Sequence, residues 1–434
     1  MPLVTRLTRH AGLLRQHDFR NLWLADVISQ FGTRISFLAL PLAAVSYLHA
    51  TTFEVSLLGT AQTIAYLLVG LQVGAWCDRM RRGPVVVAAD LGRALLFAWI
   101  PIGALLGVLT VWQLYIVVGL SGVLTVFFNV ARRAYVPRLI APADLVEGNT
   151  KLATNQSVAA IAAPAVAGAL VQWLGAPVTI ALDAASYLWS GLWLRGIRAP
   201  EPTPPEPQRR HLAQEIGEGL RLVFGQPILR AIGLHGAGLA LFQALNGAVI
   251  IVFLVRVVHL SPGVIGVLST VGLLGALLAT AITRTMSRLL GRARLVWLAG
   301  LLCGAGFLLE PVAAPGWRIV FVAASTFVAA IGIIVLNIVE TSFEQAVCPP
   351  QLLGRLSATM NFLTWGAMPA GSLLGGVAGT LLGPRATLVM GGLGALASVA
   401  FVLWSPLRKL RDLPDELPGG GDGDEHVPAS SGHA

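Results

Sequence analysis

Apolar runs of about twenty residues recur twelve times along the chain of 434 residues, and this recurrence limits the fold more than any other feature. An α-helix rises 1.5 Å per residue, so a run of that length matches the roughly 30 Å hydrocarbon core of a bilayer. The runs lie near 21–47, 54–76, 84–107, 111–131, 155–175, 178–197, 229–256, 262–284, 295–313, 318–340, 357–382 and 385–405. In lipid each backbone polar group must be satisfied inside the protein, and helices achieve this segment by segment. The expectation is an all-α membrane protein with twelve transmembrane helices.

Composition agrees. Hydrophobic residues make up 55% of the chain and charged residues only 12%, against roughly 25% charged in soluble domains, which excludes a water-soluble enzyme. The net charge of +9 does not point to nucleic acid, because the basic residues sit singly or in short clusters between the runs. With both termini in the cytoplasm, Arg256, Arg318 and Arg385 fall at outer helix ends and Arg34 and Arg93 inside spans, while every other Lys and Arg lies on the inner side. That bias sets the orientation by the positive-inside rule: a multi-pass protein of the cell membrane, with both termini inside. The basic start (Arg6, Arg9, Arg15, Arg20) has no signal-peptide pattern, so the first span would serve for targeting.

Catalytic and energy-coupling motifs are absent. Lys151 and Lys409 are the two lysines, and neither completes a phosphate-binding G-x-x-x-x-G-K-[ST] loop. Neither H-E-x-x-H nor G-x-S-x-G occurs. Cys77, Cys303 and Cys348 have no pairing pattern and read as apolar fillers rather than metal ligands. Such a chain is expected to be no enzyme, to hold no cofactor or metal, and to draw on a proton gradient. Its expected partners are a small-molecule substrate and the lipid bilayer.

The chain divides near its middle. Arg198 to Gln226 is the longest polar stretch between spans; it opens with Pro200, Pro202, Pro204, Pro205 and Pro207, which forbid a regular helix. Apolar positions 212, 216, 220 and 223 then fit one face of a surface helix. The expected organisation is a six-helix bundle over 1–198, a cytoplasmic linker with an amphipathic helix over 199–226, a second six-helix bundle over 227–405, and a disordered acidic tail over 406–434. Asn129 and Asn337, Pro137 and Pro349, and Pro164 and Pro369 recur about half a chain apart, as in transporters built from two repeats around a midplane site.

The loop after the second run reads Gly74-Ala-Trp-Cys-Asp78-Arg79-Met-Arg81-Arg82-Gly83. A small residue at 74 permits close helix approach, and an acid beside three arginines can make charge pairs that open and close with conformation. This stretch resembles the G-x-x-x-D-R-x-G-R-R signature of the major facilitator superfamily, with Arg81 for the second glycine and Gly83 for the last basic residue. Further stretches resemble the bacterial exporter branch that contains the enterobactin exporter and the macrolide-efflux proteins. They include Leu22-Trp23…Ser29-Gln30-Phe31-Gly32, Asp90-Leu-Gly-Arg93-Ala94, Tyr135-Val-Pro137…Asp144-Leu145…Asn149 and Asn337…Gln345…Pro349…Leu352-Leu-Gly354-Arg355. The resemblance spans about 19–405. It implies the major facilitator fold, a monomer, a gate formed by Gly74, Asp78, Arg79, Arg81 and Arg82, and export of amphipathic molecules driven by inward proton flow. Ala163-Pro164-Ala-Val-Ala-Gly168 resembles the antiporter G-P-x-x-x-G stretch with alanine for its first glycine, which leaves small-residue packing and a Pro kink in place.

Buried charges and amides supply the candidate site. A charge at mid-bilayer costs about 2.5–3.5 kcal/mol even on insertion scales. Asp26, Gln30 and Arg34 follow at four-residue steps, broadly on one helix face, and that face should line a wet cavity. Asp26 is either a protonatable switch or the partner of an arginine at the inner end; Arg34 would attract a carboxylate from substrate or protein. Asp183 and Asp90 are further proton-coupling candidates, although Asp90 lies close enough to Arg93 for a structural pair. Asn129, Asn246, Asn337 and Asn361 are candidate cavity amides or interhelical bonds. Gly371, Gly375 and Gly379 form a packing stripe, and His235 is expected to be packed. Glu340 and Glu344 would meet inner-loop arginines, and Glu310 would lie at the outer surface. Asn155-Gln-Ser157 matches a glycosylation sequon but opens span five on the inner side, so it carries no glycan reading. Two other functions stay open: proton-coupled nutrient uptake, and a non-transporting sensor or scaffold.

Overall fold

A computed structural model describes residues 12–199, 212–348 and 350–413. The Pro-rich stretch before Leu212 and the tail beyond Leu413 lie outside these residues, as do the surroundings of Gly74 and the side chain of Asp78. The first half holds α1 (His17–Leu42), α2 (Thr52–Asp78), α3 (Arg82–Leu105), α4 (Val111–Leu139), α5 (Leu145–Leu174) and α6 (Ala176–Arg195). A linker helix, Leu212–Gly225, leads to α7 (Pro227–Arg256), α8 (Pro262–Leu290), α9 (Arg292–Phe307), α10 (Val320–Val347), α11 (Pro350–Leu381) and α12 (Pro384–Ser398). Ten helices among the described residues are long and apolar enough to cross a membrane; α6 and α11 complete the two sets of six.

Local chemistry sets the helix ends. At α2, Thr51 and Glu54 form a reciprocal capping box, with Glu54 N donating to Thr51 Oγ1 at 3.3 Å and Thr51 N to Glu54 Oε2 at 2.7 Å. Gly175 (φ 82°) joins α5 to α6 and Gly383 (φ 81°) joins α11 to α12, each followed by proline in the first helical turn. Positive φ suits glycine, and proline suits a helix start. The α1–α2 and α7–α8 turns also match. His49 (φ 52°) and His259 (φ 59°) take the left-handed conformation, and Ala50 N and Leu260 N donate to Ala44 O and Leu254 O at 2.8 and 2.9 Å.

The packing repeats as well. In the first half α1 packs on α5 and α6, α4 on α2 and α3, and α3 on α6. In the second, α7 packs on α11 and α12, α10 on α8 and α9, and α9 on α12. Between halves α2 meets α11 and α5 meets α8, two contacts that exchange under the same repeat.

The hydrophobic cores show how the halves are joined. One core runs across both at the end away from the termini, including Ile35, Leu42, Val45, Val252, Phe253 and Ile265. Toward the termini the core splits in two, one in the first half around Phe19, Leu22 and Val136 and one in the second around Leu229, Val296 and Phe343. The halves are therefore closed at the distal side and parted at the terminal side, where the space between them opens.

Candidate functional site

Asp26 in α1 is 3% exposed and lies at the junction of three helices. Arg132 of α4 forms an ion pair with its Oδ1, Asn155 of α5 donates to Oδ2 at 3.1 Å, and Gln30, one turn on, donates to Oδ1 at 3.3 Å. A buried carboxylate needs a compensating cation and satisfied lone pairs, and these three side chains provide both. Arg132 keeps 20% of its side chain exposed, so the pair sits at the edge of the space between the halves. Of the two readings of Asp26, the geometry shows the arginine pair. Sequence reasoning missed Arg132, counted only as a basic inner end, and Asn155, seen only as part of a sequon. Matched depth was the available signal: Asp26, Arg132 and Asn155 stand about 10–15 Å from the terminal-side ends of their helices at 1.5 Å per residue.

Arg34, two turns beyond Asp26, is exposed and makes no hydrogen bond or ion pair with any described residue. Phe37, on the next turn, is 69% exposed. Asn337 and Asn361 are exposed, Asn129 is partly buried, and Asn361 Nδ2 donates to Ser357 O at 2.8 Å. Asn246 departs from the expectation of a cavity amide. It is 3% exposed and turned toward α12, where a Cβ on Gly391 would collide with its amide.

A second polar cluster lies inside the first bundle. Asp90 and Arg93 of α3 pair with each other, and Ser190 of α6 donates to Asp90. The Arg93 guanidinium lies between Phe128 and Tyr187, 4.4 Å from each ring centroid. Asp90 is 0% and Arg93 2% exposed, so Asp90 is a packing residue in this geometry, not a cavity acid. Asp183 of α6 is also fully buried; its Oδ1 accepts from Ser186 at 3.0 Å, and Oδ2 has no partner among the described residues. It faces Gly32 of α1, where a side chain would overlap both Asp183 and Ser186.

Other expectations are corrected. Glu310 is 8% exposed, not at the surface, and accepts from Ser325 at 3.3 Å. Glu344 accepts from Ser357 at 3.2 Å, and no described arginine pairs with it or with Glu340. His235 is packed, with Nδ1 at 3.1 Å from Ser398 Oγ. The three cysteines are buried and form no disulfide. In the loop after α2, Arg79 and Arg81 are exposed and Arg82 is partly buried at the start of α3; the expected Asp78 pairing falls outside the described residues.

The small residues divide between two tasks. Gly371 and Gly375 face the Leu241 and Leu245 backbone of α7, so this part of the stripe packs α11 within its own half. Gly376 faces Ser56 and Gly379 faces Thr52, both in α2. Gly168 and Gly266 face each other across the α5–α8 contact, with the Pro164 carbonyl against Gly266. Gln172 Oε1 accepts from Gly263 N at 3.0 Å, and Arg256 donates to Ala50 O at 2.6 Å. Together these contacts seal the distal side.

Comparisons with known proteins bear on the fold and the family. The chain is 25% identical over 439 residues to the enterobactin exporter EntS of Escherichia coli O1:K1 / APEC, covering 93% of this chain and 96% of that one. It is 26% identical over 414 residues to EntS of Citrobacter koseri (strain ATCC BAA-895 / CDC 4225-83 / SGSC4696), covering 93% and 95%. Among solved structures, the nucleoside transporter NupG superposes with a TM-score of 0.75 at 11% identity, covering 90% of this chain and 99% of that one. A bacterial homologue of the iron transporter ferroportin, in an inward-facing state, gives 0.70 at 17% identity, covering 91% and 99%. The Major Facilitator Superfamily model matches residues 22–370, and the chain belongs to that superfamily of transporters.

Proposed function

We propose that this transporter exports amphipathic small molecules by proton antiport, with both termini in the cytoplasm and Asp26 as the proton carrier. The observation that carries the reading is the Asp26–Arg132–Asn155 junction at the mouth of the space between the halves. Ionised Asp26 ties α1 to α4 and α5; protonated Asp26 loses its attraction for Arg132 and releases that tie. A two-state protein responds to a proton only if its two states bind the proton unequally, and a carboxylate with a detachable cation gives that difference. The closed distal side and open terminal side would then be the state that has released its proton to the cytoplasm and accepts substrate there. The relatives named as exporters support the direction. Gradient energy suffices, so no bound cofactor is required, and one chain supplies both halves of the cavity, as a monomer needs.

The test uses inverted membrane vesicles with an acid interior, to which macrolides, tetracyclines, lipophilic cations and siderophores are added in turn. One class is expected to raise the intravesicular pH within seconds, and Asp26→Asn to abolish that rise while substrate still binds. An undiminished rise in Asp26→Asn would overturn the assignment of the proton to Asp26. Proton entry rather than release on adding a substrate would replace export by uptake.

A further inference from the structure

We infer that the transported molecule is an amphipathic acid whose anionic group pairs with Arg34; the inference deepens the export reading and rests on it for the identity of the cavity. Arg34 lies about 21 Å along α1 from Arg20 at 1.5 Å per residue, close to the middle of its span. A guanidinium facing lipid there carries a cost of about 2.5–3.5 kcal/mol or more. The face it shares with Asp26 and Gln30 leads into the protein, where Arg132 and Asn155 meet it. Its exposure is therefore to the space between the halves.

Sequence alone leaves two partners open for Arg34, a protein carboxylate or a substrate anion, and the structure removes the first among the described residues. Asp26 is held by Arg132 and Asp90 by Arg93. Asp183 is buried against Gly32, Glu310 is buried with Ser325, and Glu340 and Glu344 lie at the terminal-side end of α10. Among the described residues no exposed acid accompanies Arg34 near mid-span. A cavity that took lipophilic cations would show the reverse, an accessible carboxylate with its cations tucked away. Here the accessible charge is positive, and its planar guanidinium can grip a carboxylate, phenolate or phosphate through two parallel hydrogen bonds. Phe37 on the following turn offers a ring for the apolar part of such a molecule.

Binding to the detergent-purified full chain, with no gradient, tests the charge class separately from export. The probes are 1-pyrenebutyrate, its methyl ester and tetraphenylphosphonium, and the readout is each dissociation constant. The acid is expected to bind at least tenfold more tightly than either of the others. Arg34→Gln should bring the acid to the level of its ester, and Arg34→Lys should keep part of the preference, because the charge remains while the fork is lost. Unchanged size-exclusion profiles show that the variants are folded. Equal binding of acid and ester, tighter binding of the cation, an acid preference that survives Arg34→Gln, or no binding by any probe would each overturn the inference. Failure of proton release in vesicles leaves these constants untouched, so the two readings fail separately.

Discussion

Asp90→Ala is expected to destabilise the first bundle by about 3–5 kcal/mol, the range for breaking a buried ion pair by removing one partner. The carboxylate compensates Arg93, whose guanidinium is 2% exposed and closed in by Phe128 and Tyr187. With Asp90 gone, the Thr125 hydroxyl at 3.5 Å is the polar contact left to the guanidinium, and ring faces alone do not replace a counterion. Ser190 would lose its acceptor too. Thermal unfolding of the purified protein should show a large fall in midpoint and a low yield of monodisperse material. Asp90→Ala combined with Arg93→Met should recover much of the loss, since two apolar side chains leave no uncompensated charge in the same space. If Asp90 were instead a proton carrier, Asp90→Asn would fold normally and lose transport alone, and that result would return it to the cavity.

The contrast between Asp90 and Asp26 shows what could be read from the amino-acid order. The Asp90–Arg93 pair lies within one helix turn, so the sequence already suggests it. Of the partners of Asp26, Gln30 is one turn away, but Arg132 and Asn155 lie 106 and 129 residues away on other helices, and only their matched depth hints at them. Span lengths and the basic bias are legible because the bilayer imposes them on each segment separately. Helix faces are harder. Lipid and protein interior are equally apolar, so a helix such as α7, packed on α2, α11 and α12, carries little amphipathic pattern. That is why Asn246 could not be assigned to a face, and why the glycine stripe of α11 did not reveal that it serves two neighbours. Asp183 and Glu310 show the same gap: an acid in an apolar run reads alike whether it faces a cavity or a packed core.

Gly168→Val should hold the transporter open on its distal side and abolish cycling. A Cβ at Gly168 would stand 2.9 Å from the Gly266 Cα and closer still to the Pro262 carbonyl. Both are backbone atoms, so no side chain can swing away and α5 must part from α8. Overpacking of this kind costs about 1–3 kcal/mol, and the cost falls only on the state in which the two helices touch. Since 1.4 kcal/mol is a tenfold change in an equilibrium, the population should move roughly 5- to 150-fold toward the state open at the distal side. A cysteine placed at Phe37 reports this through its labelling rate with an impermeant maleimide added from outside. The background is low because Cys77, Cys303 and Cys348 are all buried. Labelling is expected to accelerate in Gly168→Val and in Gly266→Val, whose Cβ would meet Gly168 Cα at 3.0 Å. Gly119→Val, a site with nothing within 4 Å, should change neither labelling nor transport. Acceleration equal in all three variants would mean general loosening rather than a seam. An unchanged rate with transport intact would show that the α5–α8 contact does not close the distal side, and the barrier would then rest on the α2–α11 contacts at Ser56, Thr52, Gly376 and Gly379.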